Sequence, residues 1–219
     1  AFYNRGDKFP NFIVANVNNS IDSVLLPTMA AEQDNVERVR NMTRRSIQVS
    51  VYVIAPMMIG LAVAAPAIIK LILTEKWIEC VPYLRIFCIC YLFYPIHTAN
   101  LNAIKAMGRS DLFLRLEIQK KTIDAILLIS TMWLGVMAMA YSLLASSLIS
   151  QIINAMPNQK LLHYSYLQQI RDIFPSIALA VVMGGILTMI PLSNFGDLIA
   201  VIIQVALGAI IYIGGSFLL

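Results

Sequence analysis

The chain has 219 residues, of which 59% are hydrophobic and only 13% charged. That is about half the charge share of an average globular domain, too little to coat a water-facing surface. The same figures exclude a disordered chain, a disulfide scaffold and a coiled coil, and the net charge of +4 carries no basic stripe interleaved with aromatics of the kind that binds nucleic acid.

What remains is an all-α, polytopic transmembrane helix bundle. A spanning helix needs about 20 mostly apolar residues, and seven segments read as spans. The first, residues 11–30, has a polar centre of Asn16, Asn18, Asn19, Ser20, Asp22 and Ser23. Asn16, Asn19 and Ser23 share one helix face, with Asp22 close to it. Polar groups inside a span face a cavity or another helix. The asparagines therefore divide between interhelical hydrogen bonding and contact with a substrate, while the ionisable Asp22 points to the second. The next segment, 47–73, is longer than a bilayer needs and is expected to tilt or project.

The third segment, 81–104, carries Arg85 near one end and His97, Asn100 and Asn102 after Pro95. Pro95 is expected to loosen the helix and free backbone carbonyls. His97 and Asn100 share a face, and Arg85 and His97 fall roughly in line. A cation in line with a titratable His suits an anionic head group, or a protonation-sensitive role for His97. The plainer readings are that Arg85 snorkels to the interface and that His97 bonds a neighbouring helix.

Segments 122–134 and 138–156 are separated only by Gly135, Val136 and Met137. Together they are too long for one span and right for a hairpin. Asp124 lies next to Lys120 and Lys121, and an i, i+4 pair with Lys120 is expected. Gln151 and Asn154 share a face and read as packing contacts. The last two segments, 174–192 and 198–219, are generic, although Gly184, Gly185, Gly208, Gly214 and Gly215 allow close helix approach.

The loops alternate in charge. Every second connection (31–46, 105–121 and 157–173) is basic, and these three hold eleven of the sixteen Lys and Arg residues. The positive-inside rule puts them in the cytoplasm, with Ala1 outside and Leu219 inside. No signal peptide is visible. The start at Ala1, the end inside an apolar run and the odd span count read as the second half of a longer protein.

Enzyme chemistry finds no footing, because no nucleophile–base arrangement, P-loop or paired catalytic carboxylate motif is present. Cys80, Cys88 and Cys90 lack metal spacing, and His97 and His163 are the two histidines, so neither a metal site nor a cofactor is expected. The sequon at Asn41 falls in a loop read as cytoplasmic.

Four stretches carry a resemblance: YNRGDKFP at 3–10, NNSIDSVLLPTM at 18–29, LTEKW at 73–77 and, most strongly, YPIHTANLNAIKAMGRSD at 94–111. Over most of residues 1–175 the sequence resembles the C-terminal half of a Wzx-type polysaccharide flippase of the multidrug/oligosaccharidyl-lipid/polysaccharide exporter superfamily, in particular the colanic-acid and teichuronic-acid exporters. The resemblance implies a MATE-like fold of two lobes around a central cavity. Residues 1–156 would form most of the second lobe with five spans, 157–173 a cytoplasmic linker and 174–219 two C-terminal spans, with the first lobe absent. It implies a multi-pass inner-membrane protein that moves undecaprenyl-pyrophosphate-linked oligosaccharide to the outer leaflet for surface polysaccharide synthesis, driven by an ion gradient or the membrane potential. Family cavities are typically cationic. By analogy Arg85, His97 and Lys105 are candidates for the pyrophosphate, and Asn16, Asn19, Asp22 and Asn100 complete the expected substrate-binding set.

Three other readings remain. A multidrug or cation antiporter of the same superfamily would need more intramembrane acid than Asp22 and Asp124. A membrane-embedded polymerase or ligase would need a large outer loop. In a structural membrane subunit the polar residues would serve packing alone.

Overall fold

The computed structural model describes residues 2–191 and 196–217. Ala1, the end of the sixth apolar segment at Leu192, most of the connection at 193–197, and Leu218 and Leu219 lie outside the described residues. Eight α-helices follow one another among the described residues: α1 (Phe2–Ala31), α2 (Val36–Leu73), α3 (Val81–Leu92), α4 (Tyr94–Ala106), α5 (Ser110–Thr131), α6 (Val136–Leu161), α7 (Tyr166–Met189) and α8 (Asp197–Ser216). Two short 3-10 turns, Glu75–Cys80 and Met132–Leu134, complete the path.

Among the described residues, all seven apolar segments are largely helical, and five stretches are long and apolar enough to cross a membrane: Val36–Leu73, Glu75–Ala106, Val136–Leu161, Tyr166–Met189 and Asp197–Ser216. The chain is a multi-pass membrane protein. Helices α1 and α5 have the length but not the apolarity. The polar centre of α1 and the Arg115, Glu117, Lys120, Lys121 and Asp124 series of α5 lower their hydropathy. Both pack onto the bundle nonetheless, α1 against α2, α3 and α4, and α5 against α6.

Local chemistry sets the helix ends. Asn35 caps α2, its side chain accepting from the Arg38 amide at 3.1 Å. Ser165 and Gln168 form a reciprocal capping box at the start of α7, which satisfies two amide donors left over by the helix. Gly135 takes φ +96° between the 3-10 turn and α6, a backbone region open to glycine, and the expected α5–α6 hairpin turns there.

Helix α2 is the axis of the bundle. At 38 residues it is about 57 Å long by its rise per residue, well beyond the roughly 30 Å hydrocarbon core. It packs against α1, α3, α4, α7 and α8. Gly184 makes the α7 contact possible, since a Cβ there would meet Ile59 Cγ2 at 2.5 Å, while Gly185 faces open space. Gly6 does the same for α1 against the start of α3, where a Cβ would meet the Leu84 amide nitrogen at 2.8 Å.

The third apolar segment is broken, not merely loosened. Pro95 lacks the N–H that would bond to Tyr91 O, and the helix stops at Leu92 and restarts at Tyr94. This break decides where the polar residues on either side of it point.

Candidate functional site

Beside an apolar core, the bundle buries a set of polar side chains while many large apolar ones face outward. Phe12, Trp133, Met189 and Phe217 are exposed, whereas Asn18, Asn100, Asn102, Lys120, Gln151, Asn154, Asn158 and Gln169 are buried. In a bilayer the polar groups inside carry the specific contacts. They lie on α1, α4, α5 and α6, with Gln169 reaching in from α7.

Asp22 on α1 accepts a hydrogen bond from Asn102 Nδ2 on α4 at 2.6 Å, tying the two helices through a carboxylate. One helical turn further along α4, Lys105 stays exposed and lies over the Phe113 ring at 4.6 Å, a cation–π contact. On α5, Lys120 is only 4% exposed and pairs with Glu117 at 2.5 Å. The expected Lys120–Asp124 pair is not formed. Asp124 instead meets Lys121 at 3.7 Å and accepts a hydrogen bond from Ser146 of α6. Lys120 is turned inward and finds its carboxylate at i−3.

His97 follows the same side of α4. Its Nδ1 lies 2.6 Å from Asn154 Nδ2 on α6, and its ring stacks on Tyr94 with centroids 5.3 Å apart. Beside it a cavity of about 210 Å³ opens between α3, α4, α5 and α6, bounded by Phe87, Tyr91, Tyr94, His97, Asp124 and the polar stripe of α6. Among the described residues no group of three or more His, Cys, Asp or Glu side chains is placed to hold a metal ion.

The substrate candidates separate into groups. Asp22, Lys105 and His97 lie along the polar side. Asn16 and Asn19 are exposed on α1, where Asn16 Nδ2 donates back to Phe12 O at 2.7 Å. Asn100 is fully buried in a helix junction. It exchanges two hydrogen bonds with Gln169 of α7 (2.7 and 3.0 Å), donates to Ile96 O and accepts from Asn158 of α6 at 2.7 Å. All four hydrogen-bonding positions of its amide are filled. Its side chain is a pin between α4, α6 and α7.

Arg85 does not join His97. It lies on α3, before the break, and lines a separate, largely apolar cavity of about 570 Å³ between α2, α3 and α7. Its Nε donates to Ala62 O at 3.1 Å. Ala62 is four residues before Pro66, so its carbonyl is the one that Pro66 cannot serve. Arg85 supplies the missing donor from the next helix.

Sequence reasoning missed Glu117, Asn158, Gln169 and the serines of α6. The signal was present. Ser142, Ser146, Ser150, Asn154 and Asn158 recur every four residues, which draws one polar stripe along a helix.

Residues 1–82 match the family model described as "polysaccharide biosynthesis protein". The chain is 30% identical over 137 residues to an "uncharacterized membrane protein in cps region" of Klebsiella pneumoniae, covering 62% of this chain and 27% of that protein. It is 27% identical over 139 residues to the lipopolysaccharide biosynthesis protein WzxC of Escherichia coli, covering 63% and 27%. The matches thus span about a quarter of the length of these curated relatives. The fold matches a solved structure of the lipid II flippase MurJ in its inward closed conformation, with a TM-score of 0.80 and 15% identity, over 98% of this chain and 46% of that one. Family model, relatives and fold converge on one likeness: the chain resembles the Wzx-type polysaccharide flippases.

Proposed function

We propose that the chain is the second lobe of an exporter that carries lipid-linked oligosaccharide across the bacterial inner membrane by alternating access. The observation that carries the reading is the run of polar and charged side chains along α1, α4 and α5 of an otherwise apolar bundle: Asp22 with Asn102, Glu117 with Lys120, Lys105, His97, and the exposed Asn16, Asn19, Ser20 and Ser23 of α1. A bilayer penalises such a run unless it lines a water-filled path or meets another polar face. Opposite a first lobe it would line a central cavity. There Lys105 is the exposed cation best placed for a pyrophosphate, with His97 deeper in, and the α1 asparagines offer neutral contacts to sugars. The lipid tail stays in the bilayer, which avoids exposing it to water. The basic connections then face the cytoplasm, and rocking of the two lobes moves the cargo. The division into a five-span bundle (1–156), a linker (157–173) and two C-terminal spans (174–219) belongs to this proposal, as do the undecaprenyl carrier and the ion gradient.

Disruption of the gene tests the reading. Loss of a surface polysaccharide, with lipid-linked repeat units building up on the cytoplasmic leaflet, is expected. Intact surface polysaccharide together with new drug sensitivity would favour an antiporter of cationic drugs instead.

A further inference from the structure

The cavity between α3, α4, α5 and α6 holds a feature that helix packing does not explain. Gln151 lines it and is only 1% exposed, yet neither its Nε2 nor its Oε1 has a partner among the described residues. The contrast with Asn100 is sharp, because that equally buried amide is saturated. An amide with both ends unpaired disfavours the fold unless something in the cavity serves it. The partner it calls for offers a donor and an acceptor side by side.

The rest of the wall narrows the choice. Ser146, Ser147 and Ser150 add hydroxyls, and His97 adds a ring nitrogen. Phe87, Tyr91 and Tyr94 form an aromatic side, with successive centroids 6.4 and 5.9 Å apart. Asp124 puts a carboxylate in the wall, which repels an anion. The uncharged amide and hydroxyls are wrong for a lipid tail. At about 210 Å³ the space is below the roughly 300–1,000 Å³ of a drug-sized site, so it has room for one ring and not for a chain. It opens outward past the exposed Tyr94 and Leu143.

We infer that this cavity is a subsite for a single uncharged sugar ring, with the enclosed Gln151 amide turning into it to bridge two vicinal hydroxyls, the α6 serines contacting others and the Tyr91–Tyr94 side receiving the ring's C–H face. This rests on the exporter reading above and adds to it a place and a chemistry: the neutral sugar is recognised here, apart from any contact that Lys105 makes to the anionic linkage.

Saturation-transfer NMR on the protein in lipid nanodiscs tests it, with methyl glycosides of glucose, galactose and mannose as probes at millimolar concentration. At least one glycoside should receive saturation from the wild-type protein. Gln151→Leu, and separately Ser147→Leu, which fills the space from the half-buried side, should each weaken it about tenfold, the worth of one lost hydrogen-bonded pair. Retained helical circular dichroism shows that a variant is folded, and the milder Ser147→Ala serves if neither leucine variant is. A parallel native mass-spectrometry measurement follows undecaprenyl pyrophosphate with and without an attached oligosaccharide. If the lipid-linked oligosaccharide binds but no glycoside does, or if both variants bind glycoside as the wild type does, the subsite is overturned and the exporter reading stands. If the wild type binds neither probe, the exporter reading falls and takes the subsite with it.

Discussion

The contact between Arg85 and the Ala62 carbonyl makes a quantitative prediction that a four-protein cycle can check. Pro66 leaves Ala62 O without its in-helix donor, and Arg85 Nε reaches it at 3.1 Å from α3. Arg85→Met keeps the apolar stem but removes the donor. Pro66→Ala returns an N–H at position 66, so that the ordinary i→i−4 bond can form. Interhelical hydrogen bonds in membranes contribute about 0.6 kcal/mol on average and up to about 1.7. This one should lie in the upper part of that range, because Pro66 removes its acceptor's ordinary in-helix donor and its own donor is charged. Arg85→Met should therefore destabilise the wild-type background by about 1–1.5 kcal/mol. In the Pro66→Ala background the loss should shrink to a few tenths, leaving a coupling of about 1 kcal/mol, above the scatter expected of independent sites. Unfolding in mixed micelles, followed by far-UV circular dichroism, gives all four corners. Equal losses in the two backgrounds would refute the argument. Unchanged stability together with lost polysaccharide export would move Arg85 from packing to cargo.

Three further outcomes are expected. Asn100→Leu strips partners from Asn158 and Gln169 at once, at about 1–3 kcal/mol for each buried polar group left unpaired, so the thermal midpoint should fall by many degrees, whereas Asn19→Leu on the exposed face should barely move it. Burial, and then the hydrogen bond that Tyr164 donates to Asp172 at 2.8 Å, push the Tyr164 hydroxyl above its ordinary value of 10.0. The stability this adds is present in full below pH 10.0 and declines as pH rises toward the raised value; Tyr164→Phe should be less stable by about 1.5–3 kcal/mol at pH 7, since the acceptor is charged, and should show a flatter unfolding profile above pH 10. Thr74 holds φ +78° between α2 and the following turn, a conformation that costs a non-glycine residue about 1–3 kcal/mol, and Thr74→Gly should raise the unfolding midpoint by recovering part of it.

Hydropathy was enough to read the helices of this chain, because the bilayer accepts few backbone solutions. The described part of each of the seven apolar segments is largely helical, with the third divided between α3 and α4, and the Gly135 hairpin could be told from one long helix by length alone. The break at Phe93 was harder. Pro95 marked the region, but whether a proline bends a helix or ends it depends on which neighbours accept the freed carbonyls, and those come from other helices. The same dependence hid the role of Arg85, whose partner is 23 residues away and was left unpaired by a proline on α2. Lys120 was paired with the wrong carboxylate, since i−3 and i+4 neighbours are equally near on paper and burial decides between them. Asn100 shared a helix face with His97 as expected, but a face is wide. His97 sits at its edge against α6, while Asn100 points into the junction with α7.

The amides of this bundle fall into two classes, and the division bears on function. Asn100 and Gln169 bond to each other and Asn158 Nδ2 donates to Asn100 across three helices, an arrangement that an interior of low dielectric makes rigid, although Asn158 Oδ1 has no partner among the described residues. Gln151, and the Oδ1 of Asn154 beside His97, are buried without partners. Both classes stand on α6, four to seven residues apart, so one helix carries a locked junction at one level and unmet hydrogen-bonding capacity at the next. Structure alone favours saturating every buried amide. Where a chain fixes one amide junction firmly and leaves the next amide open to a cavity, the rigid part serves as the mount that holds the open one in position. The proposed rocking exporter would need that arrangement: its lobe would move as a body, and the recognition groups would keep their geometry while the other lobe changed around them.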